Sequence, residues 1–246
     1  MPALSAWDRR RHEADDHAFD VYWRGAGPGV VVIHESPGLT PEVVAFGDDL
    51  VVAGFTVVLP HLFGSAGVEP RPGEAAAVLA RLCVSREFAL LAAGRTTPLA
   101  GWLRSLARSV HESAGGPGVG VVGMCVTGGF ALAMMIDPVV VAPVLAQPAT
   151  PLPVGAARAA GLGLSQDDVS QVVARVAAGC PVLGVRYRSD WSTGTRFETL
   201  RRLLGDGFIA VELEGRGHAT LTADRHPEAI AAVRRFLSRR LRPATG

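Results

Sequence analysis

A chain of 246 residues, 48% hydrophobic and 19% charged, carries enough apolar sequence for one sizeable core and too much for a disordered chain. Its 24 basic and 23 acidic residues leave a net charge of +1, so neither nucleic acid nor an anionic membrane surface is expected as a partner. All the basic residues are arginine, and lysine and asparagine are absent, which excludes Schiff-base, pyridoxal-phosphate, P-loop and protein-kinase chemistry, each of which needs a lysine amine.

Residues 1–18 read as a polar, solvated N-terminal segment without the apolar stretch of a signal peptide. Phe19 to Trp23 is a candidate edge strand. Short apolar runs bounded by Gly or Pro follow at Gly29–Ile33, Phe55–Leu59, Val119–Val122, Pro138–Leu145, Pro181–Val185 and Phe208–Leu213. Their shortness and β-branched content suit buried parallel strands. Between them the spacing predicts helices over Pro41–Ala53, Glu74–Ala92, Pro98–His111, Thr127–Ile136, Gln166–Ala178, Thr195–Leu204 and His226–Leu241. Thr40 stands as N-cap of the first. Asp167 and Asp168 read as caps, and Asp224 as the start of the last helix. No apolar run spans a membrane unbroken, and neither loop, Gly64–Gly73 or Gln147–Val154, is long enough to divide the chain. The expectation is a single cytoplasmic domain over residues 1–246, α/β in class, with a mainly parallel sheet covered by helices on both faces.

Ligands of such sheets bind beyond the carboxyl ends of the strands. The residues placed there include His34, Glu35, Ser36, His61, Cys125, Gln147, Asp190 and His218. The segment GVGVVGMCVTGG reads strand, tight turn, helix, with Cys125 on the turn and Gly123 two residues before it. That is the arrangement of a nucleophile elbow, which needs small neighbours and presents its side chain at a helix N-terminus. The position two after Cys125 is Thr127 where the pattern has Gly. Taken alone, the turn fits a small buried cysteine as well as it fits a nucleophile. Chain order adds weight, because elbow hydrolases run nucleophile, acid, histidine. Cys125 is followed by Asp190 in the RSD loop and by His218 in the GHATL loop, each after a predicted strand. Cys83 and Cys180 read as packing residues, and the histidines show no metal-ligand spacing, so neither metal nor cofactor is expected.

With VVVIHESPG, GMCVTGG, RSD and GHATL together, the chain resembles the dienelactone hydrolase family of α/β-hydrolases, over most of its length from about residue 30 to 220. The resemblance implies hydrolysis of a small-molecule carboxylic ester or lactone by a Cys125–His218–Asp190 triad. It implies that Glu35, in the family's His-Glu pair, stands beside the thiol. In such a mechanism the oxyanion would be held by the backbone N–H groups of Val126 and Ser36. Dienelactone-cleaving members hold the substrate carboxylate with arginines. One of these falls shortly after the histidine, where this chain has Thr222, with Arg225 next. The other precedes the elbow, with Arg81 and Arg86 as candidates. The competing reading is a non-catalytic α/β-hydrolase-fold protein that binds a small molecule.

Overall fold

The computed structural model describes residues 3–84, 97–149 and 155–242. Eight strands form one sheet: β1 (Asp8–Ala14), β2 (His17–Arg24), β3 (Gly29–Ile33), β4 (Thr56–Pro60), β5 (Val119–Met124), β6 (Val140–Ala146), β7 (Val182–Tyr187) and β8 (Phe208–Leu213). Their order across the sheet is β1-β2-β4-β3-β5-β6-β7-β8. β1 pairs with β2, and β2 with β4, antiparallel; the remaining neighbours are parallel. The helices among the described residues are α1 (Pro41–Val52), α2 (Glu74–Val84), α3 (Pro98–Ala114), α4 (Gly128–Met135), α5 (Ala156–Ala160), α6 (Gln166–Ala177), α7 (Arg196–Leu204) and α8 (Pro227–Leu241). This is the α/β-hydrolase architecture, with a mainly parallel sheet covered on both faces.

The two-residue period of the strands sorts the core. Val31 and Ile33 of β3 join a cluster with Trp102, Leu103 and Leu106 of α3 and Phe130 of α4. Val30 and Val32 join the opposite cluster with Phe46 and Leu50 of α1 and Val233 and Leu237 of α8. Alternate side chains of one fully buried strand thus feed both faces, which is why its sequence is apolar without interruption. α4 is apolar nearly all round because it packs in the middle of the molecule, where no face meets water.

Several expectations need correction. Residues 1–18 are not merely a solvated tail, since Asp8–Ala14 forms the edge strand and Phe19–Trp23 lies one strand inward. The charged run fits an edge because solvent reaches its side chains. Arg9 is paired with Asp20, and the Arg10 guanidinium lies 4.5 Å from the centre of the Trp23 ring. The cap of α6 is Ser165, which accepts from Asp168 N; the two aspartates sit inside the first turn. α8 starts at the His226 cap rather than at Asp224. The five-residue α5 went unforeseen because AARAA has no apolar period. No helix among the described residues is long and apolar enough to cross a membrane.

Candidate functional site

Residues beyond the carboxyl ends of β3, β5 and β8 converge on one cleft. Its volume is about 270 Å³, and Glu35, Ser36, Cys125, His218 and Thr222 are among its lining residues. Cys125 follows β5 directly, with φ at +53°, in the left-handed region that non-glycine residues rarely occupy. Such a strained turn persists only where its surroundings hold it, and it points the thiol out of the sheet. The Thr127 hydroxyl, at the position where the elbow pattern has glycine, does much of the holding. It accepts from Met124 N at 3.0 Å and lies 2.8 and 3.1 Å from the Met124 and Ile33 carbonyls. The departure at Thr127 therefore ties the turn to β3.

Gly123 is required by close approach. A Cβ there would stand 2.6 Å from the Thr127 carbonyl oxygen, a backbone atom that cannot swing aside. Gly123→Ala is expected to lower the unfolding free energy by roughly 1–3 kcal/mol, as overpacking does elsewhere, and to displace Cys125. Chemical denaturation beside thiol alkylation rates checks both effects; an unchanged midpoint and an unchanged rate would show that the elbow tolerates the methyl.

Asp190 follows β7 and His218 follows β8. Asp190 Oδ2 lies 2.8 Å from His218 Nδ1, so an ionised Asp190 accepts a proton donated by Nδ1. Ser192, which the sequence reading passed over, donates from its N (3.0 Å) and Oγ (2.6 Å) to Asp190 Oδ1, and its Oγ is 3.0 Å from Nδ1. Burial alone would raise the Asp190 carboxyl, but the bonds from His218 and Ser192 hold it below its ordinary value. Burial likewise opposes charge on His218; its bonds with Asp190 and Cys125 override this and push it up to about 10. Asp224, read from sequence as a helix start, instead braces the histidine loop. Its Oδ2 accepts from His218 N at 2.7 Å and from Ala219 N at 3.1 Å.

Glu35 is 7% exposed. Gln147 Nε2 donates to its Oε2 at 3.1 Å, and the Thr222 hydroxyl bonds its Oε1. Burial pushes the Glu35 carboxyl up, against the pull of Thr222, His218 and Gln147. Gln147 itself is fully buried, with φ at +37°, and its Oε1 accepts from Thr220 Oγ1 at 2.6 Å. Gln147 thus links the end of β6 to both Glu35 and the histidine loop. Its strand-end position was visible in the sequence, but its partners were not. His34, next door, is fully buried, which pushes it down to about 3 and keeps it neutral. Its ring bonds the Glu35 carbonyl and Leu62 N.

Ser36 lines the cleft beside Cys125, while Val126 is 6% exposed just behind the thiol. Among the candidate arginines, Arg225 is paired with Asp49, Arg81 is exposed at the end of α2, and Arg86 lies outside the described residues. An arginine that sequence reasoning missed is Arg196 at the start of α7. It is 3% exposed and donates to the Thr193 and Arg158 carbonyls at 3.0 and 2.6 Å. Burial lowers it to about 10, and the Cys125 sulfur is near enough to raise it in part.

A sequence model of the dienelactone hydrolase family matches residues 19–159. Among solved structures, a dienelactone hydrolase from Anabaena variabilis is 16% identical with a TM-score of 0.61, over 96% of this chain and 100% of that one. Est1E from Butyrivibrio proteoclasticus is 15% identical at a TM-score of 0.61, over 94% and 98%. A cold-adapted esterase from an Arctic intertidal metagenomic library is 14% identical at 0.60, over 95% and 92%. At these identities the likeness is one of fold. Comparison with curated proteins finds no match.

Proposed function

Because the chain belongs to the dienelactone hydrolase family, whose type of reaction is ester or lactone hydrolysis, we propose that it cleaves such a bond through Cys125 as nucleophile. The observation that carries this reading is the strained Cys125 turn facing His218, whose far nitrogen Asp190 holds. In this mechanism His218 Nε2 takes the thiol proton, and the thiolate attacks the carbonyl carbon. Asp190 orients the ring and stabilises its charged form, while Ser192 keeps the Asp190 carboxylate aimed. The Arg196 guanidinium adds positive potential near the sulfur. Backbone N–H groups of Val126 and Ser36 receive the charge that develops on the carbonyl oxygen. His218 then protonates the leaving alkoxide, water attacks the thioester, and the acid departs. From a lactone the alkoxide stays attached, so one ring-opened product results.

The Glu35 arrangement bears on the substrate. Where the resemblance calls for an arginine after the histidine, Thr222 instead bonds Glu35. A neutral hydroxyl gives a substrate carboxylate no counter-charge, so we assign neutral esters or lactones to this cleft in preference to dienelactone itself. The direct test is p-nitrophenyl acetate with rapid mixing and quench. A burst of p-nitrophenol with an acetyl group on the Cys125 peptide is expected. An acetyl group on another residue, or binding of the ester without turnover, would overturn the assignment; the latter outcome would favour the non-catalytic binding reading.

A further inference from the structure

Glu35, Cys125 and His218 do more than face a substrate. One donor atom from each, a carboxylate oxygen, a sulfur and an imidazole nitrogen, lies within 4.8 Å of the other two. These are the three donor types that bind zinc. In a tetrahedral zinc site the ligand atoms stand roughly 3.3–3.8 Å apart, so this trio needs a contraction of about 1.5 Å at most.

The surroundings of the three are those a metal site requires. Asp190 occupies His218 Nδ1 at 2.8 Å, which leaves Nε2 as the nitrogen for a metal. A carboxylate behind a ligating histidine fixes the tautomer and raises the basicity of the ligand. Gln147 and the Thr222 hydroxyl each take one lone pair of a Glu35 oxygen, and each oxygen keeps another. The cleft opens the fourth position to water or substrate. With sulfur and nitrogen among the donors, the site selects zinc over magnesium or calcium, which prefer all-oxygen ligands.

We propose that Glu35, Cys125 and His218 form a three-ligand site for Zn²⁺, and that the bound ion switches the hydrolase off reversibly. The ion takes the sulfur lone pair that would attack the ester. As the sulfur–zinc bond forms, one proton per ion passes to the solvent, and no electrons are exchanged. The inhibitory half of this proposal rests on the hydrolase reading; the binding half does not.

The test uses the full chain without substrate. Zinc is titrated against a chromophoric indicator, and Co²⁺ serves as a visible substitute. One Zn²⁺ per chain is expected, together with the near-ultraviolet band of a thiolate bound to Co²⁺. Cys125→Ser, or wild type alkylated at Cys125, loses the band, whereas Cys180→Ser keeps it. Thr222→Val leaves all three ligands in place and weakens binding by about 10–100-fold, the usual cost of a lost supporting bond. Inhibition of ester hydrolysis then follows zinc occupancy and is reversed by a chelator. Absence of the band in wild type, or equal zinc affinity in wild type, Cys125→Ser and Glu35→Gln, would overturn the site. A chain that binds one zinc but hydrolyses no ester keeps this site and removes the hydrolase reading. A chain that hydrolyses esters and binds no zinc removes this site alone.

Discussion

The double variant Cys125→Ala/His218→Ala is expected to hydrolyse esters no more slowly than the worse of its two single variants. Each single change should lower kcat by about 10⁴-fold or more, and the losses should not add. The reason is that the two side chains act as one unit. Without His218 the thiol keeps its proton, and without Cys125 the imidazole has no sulfur to serve. Residual turnover would come from the N–H donors of Val126 and Ser36 and from binding in the cleft. Steady-state kinetics of the three variants on one neutral ester decide the matter. A double variant slower than wild type by the product of the two single losses would mean that Cys125 and His218 contribute independently, and the proposed nucleophile–base pair would be wrong.

The second large effect concerns a residue away from the cleft. Arg186, on β7, has a side chain only 9% exposed and binds Glu212 at 2.6 and 2.9 Å and Glu198 at 3.1 Å. It also donates to Thr193 Oγ1 at 3.2 Å, and its guanidinium carbon lies 4.3 Å from the centre of the Phe197 ring. One guanidinium thus joins β7, β8, α7 and the turn that carries Asp190 and Ser192. Arg186→Met keeps much of the stem but leaves Glu212 with Arg201 and, at 4.0 Å, the more exposed Arg188 as its remaining cations. Breaking a largely buried pair from one side costs about 3 kcal/mol. Urea denaturation should show a loss of that order, with reduced activity because the acid turn loosens. A loss of only a few tenths of a kcal/mol would place the pair among inert surface bridges.

The same pair sets an acid limit. Burial would raise the Glu212 carboxyl, yet Arg186 and Arg201 hold it below its ordinary value of 4.5. A depressed carboxylate contributes stability that is present above its unfolded value and is lost as pH falls through the folded one. Wild type should therefore lose stability on acidification below about pH 4.5, and Glu212→Gln should lose less of it over the same interval.

Legibility in the sequence followed locality. The strands at Gly29–Ile33 and Phe208–Leu213 were readable to the residue because a short, largely apolar run between turn signals has few other uses. Asp8–Ala14 was not, because an edge strand faces water and resembles a charged loop in composition. At the site, Cys125, Asp190, His218 and Glu35 could be picked out because each stands just past a strand. Gln147, Ser192 and Thr222 take their importance from partners elsewhere in the chain. Gln147 meets Glu35 and Thr220 only once β6 lies in place, and no local spacing announces such a meeting. Zinc-ligand spacing was invisible for the same reason, since the three donors come from different strand ends.

That dispersal has a consequence for how the molecule acquires its function. Glu35 follows β3, Cys125 follows β5 and His218 lies beyond β8, yet β3 and β5 are neighbours while β6 and β7 separate β5 from β8. Local contacts alone can form helices early, but no subset of neighbouring elements contains the whole reactive group. The side chains meet only when every intervening strand has paired in its correct register, because a slip of one residue turns a strand's side chains to the wrong face. Recovery of activity on refolding is therefore a register check on the sheet from β3 to β8, and it should be the last property to return.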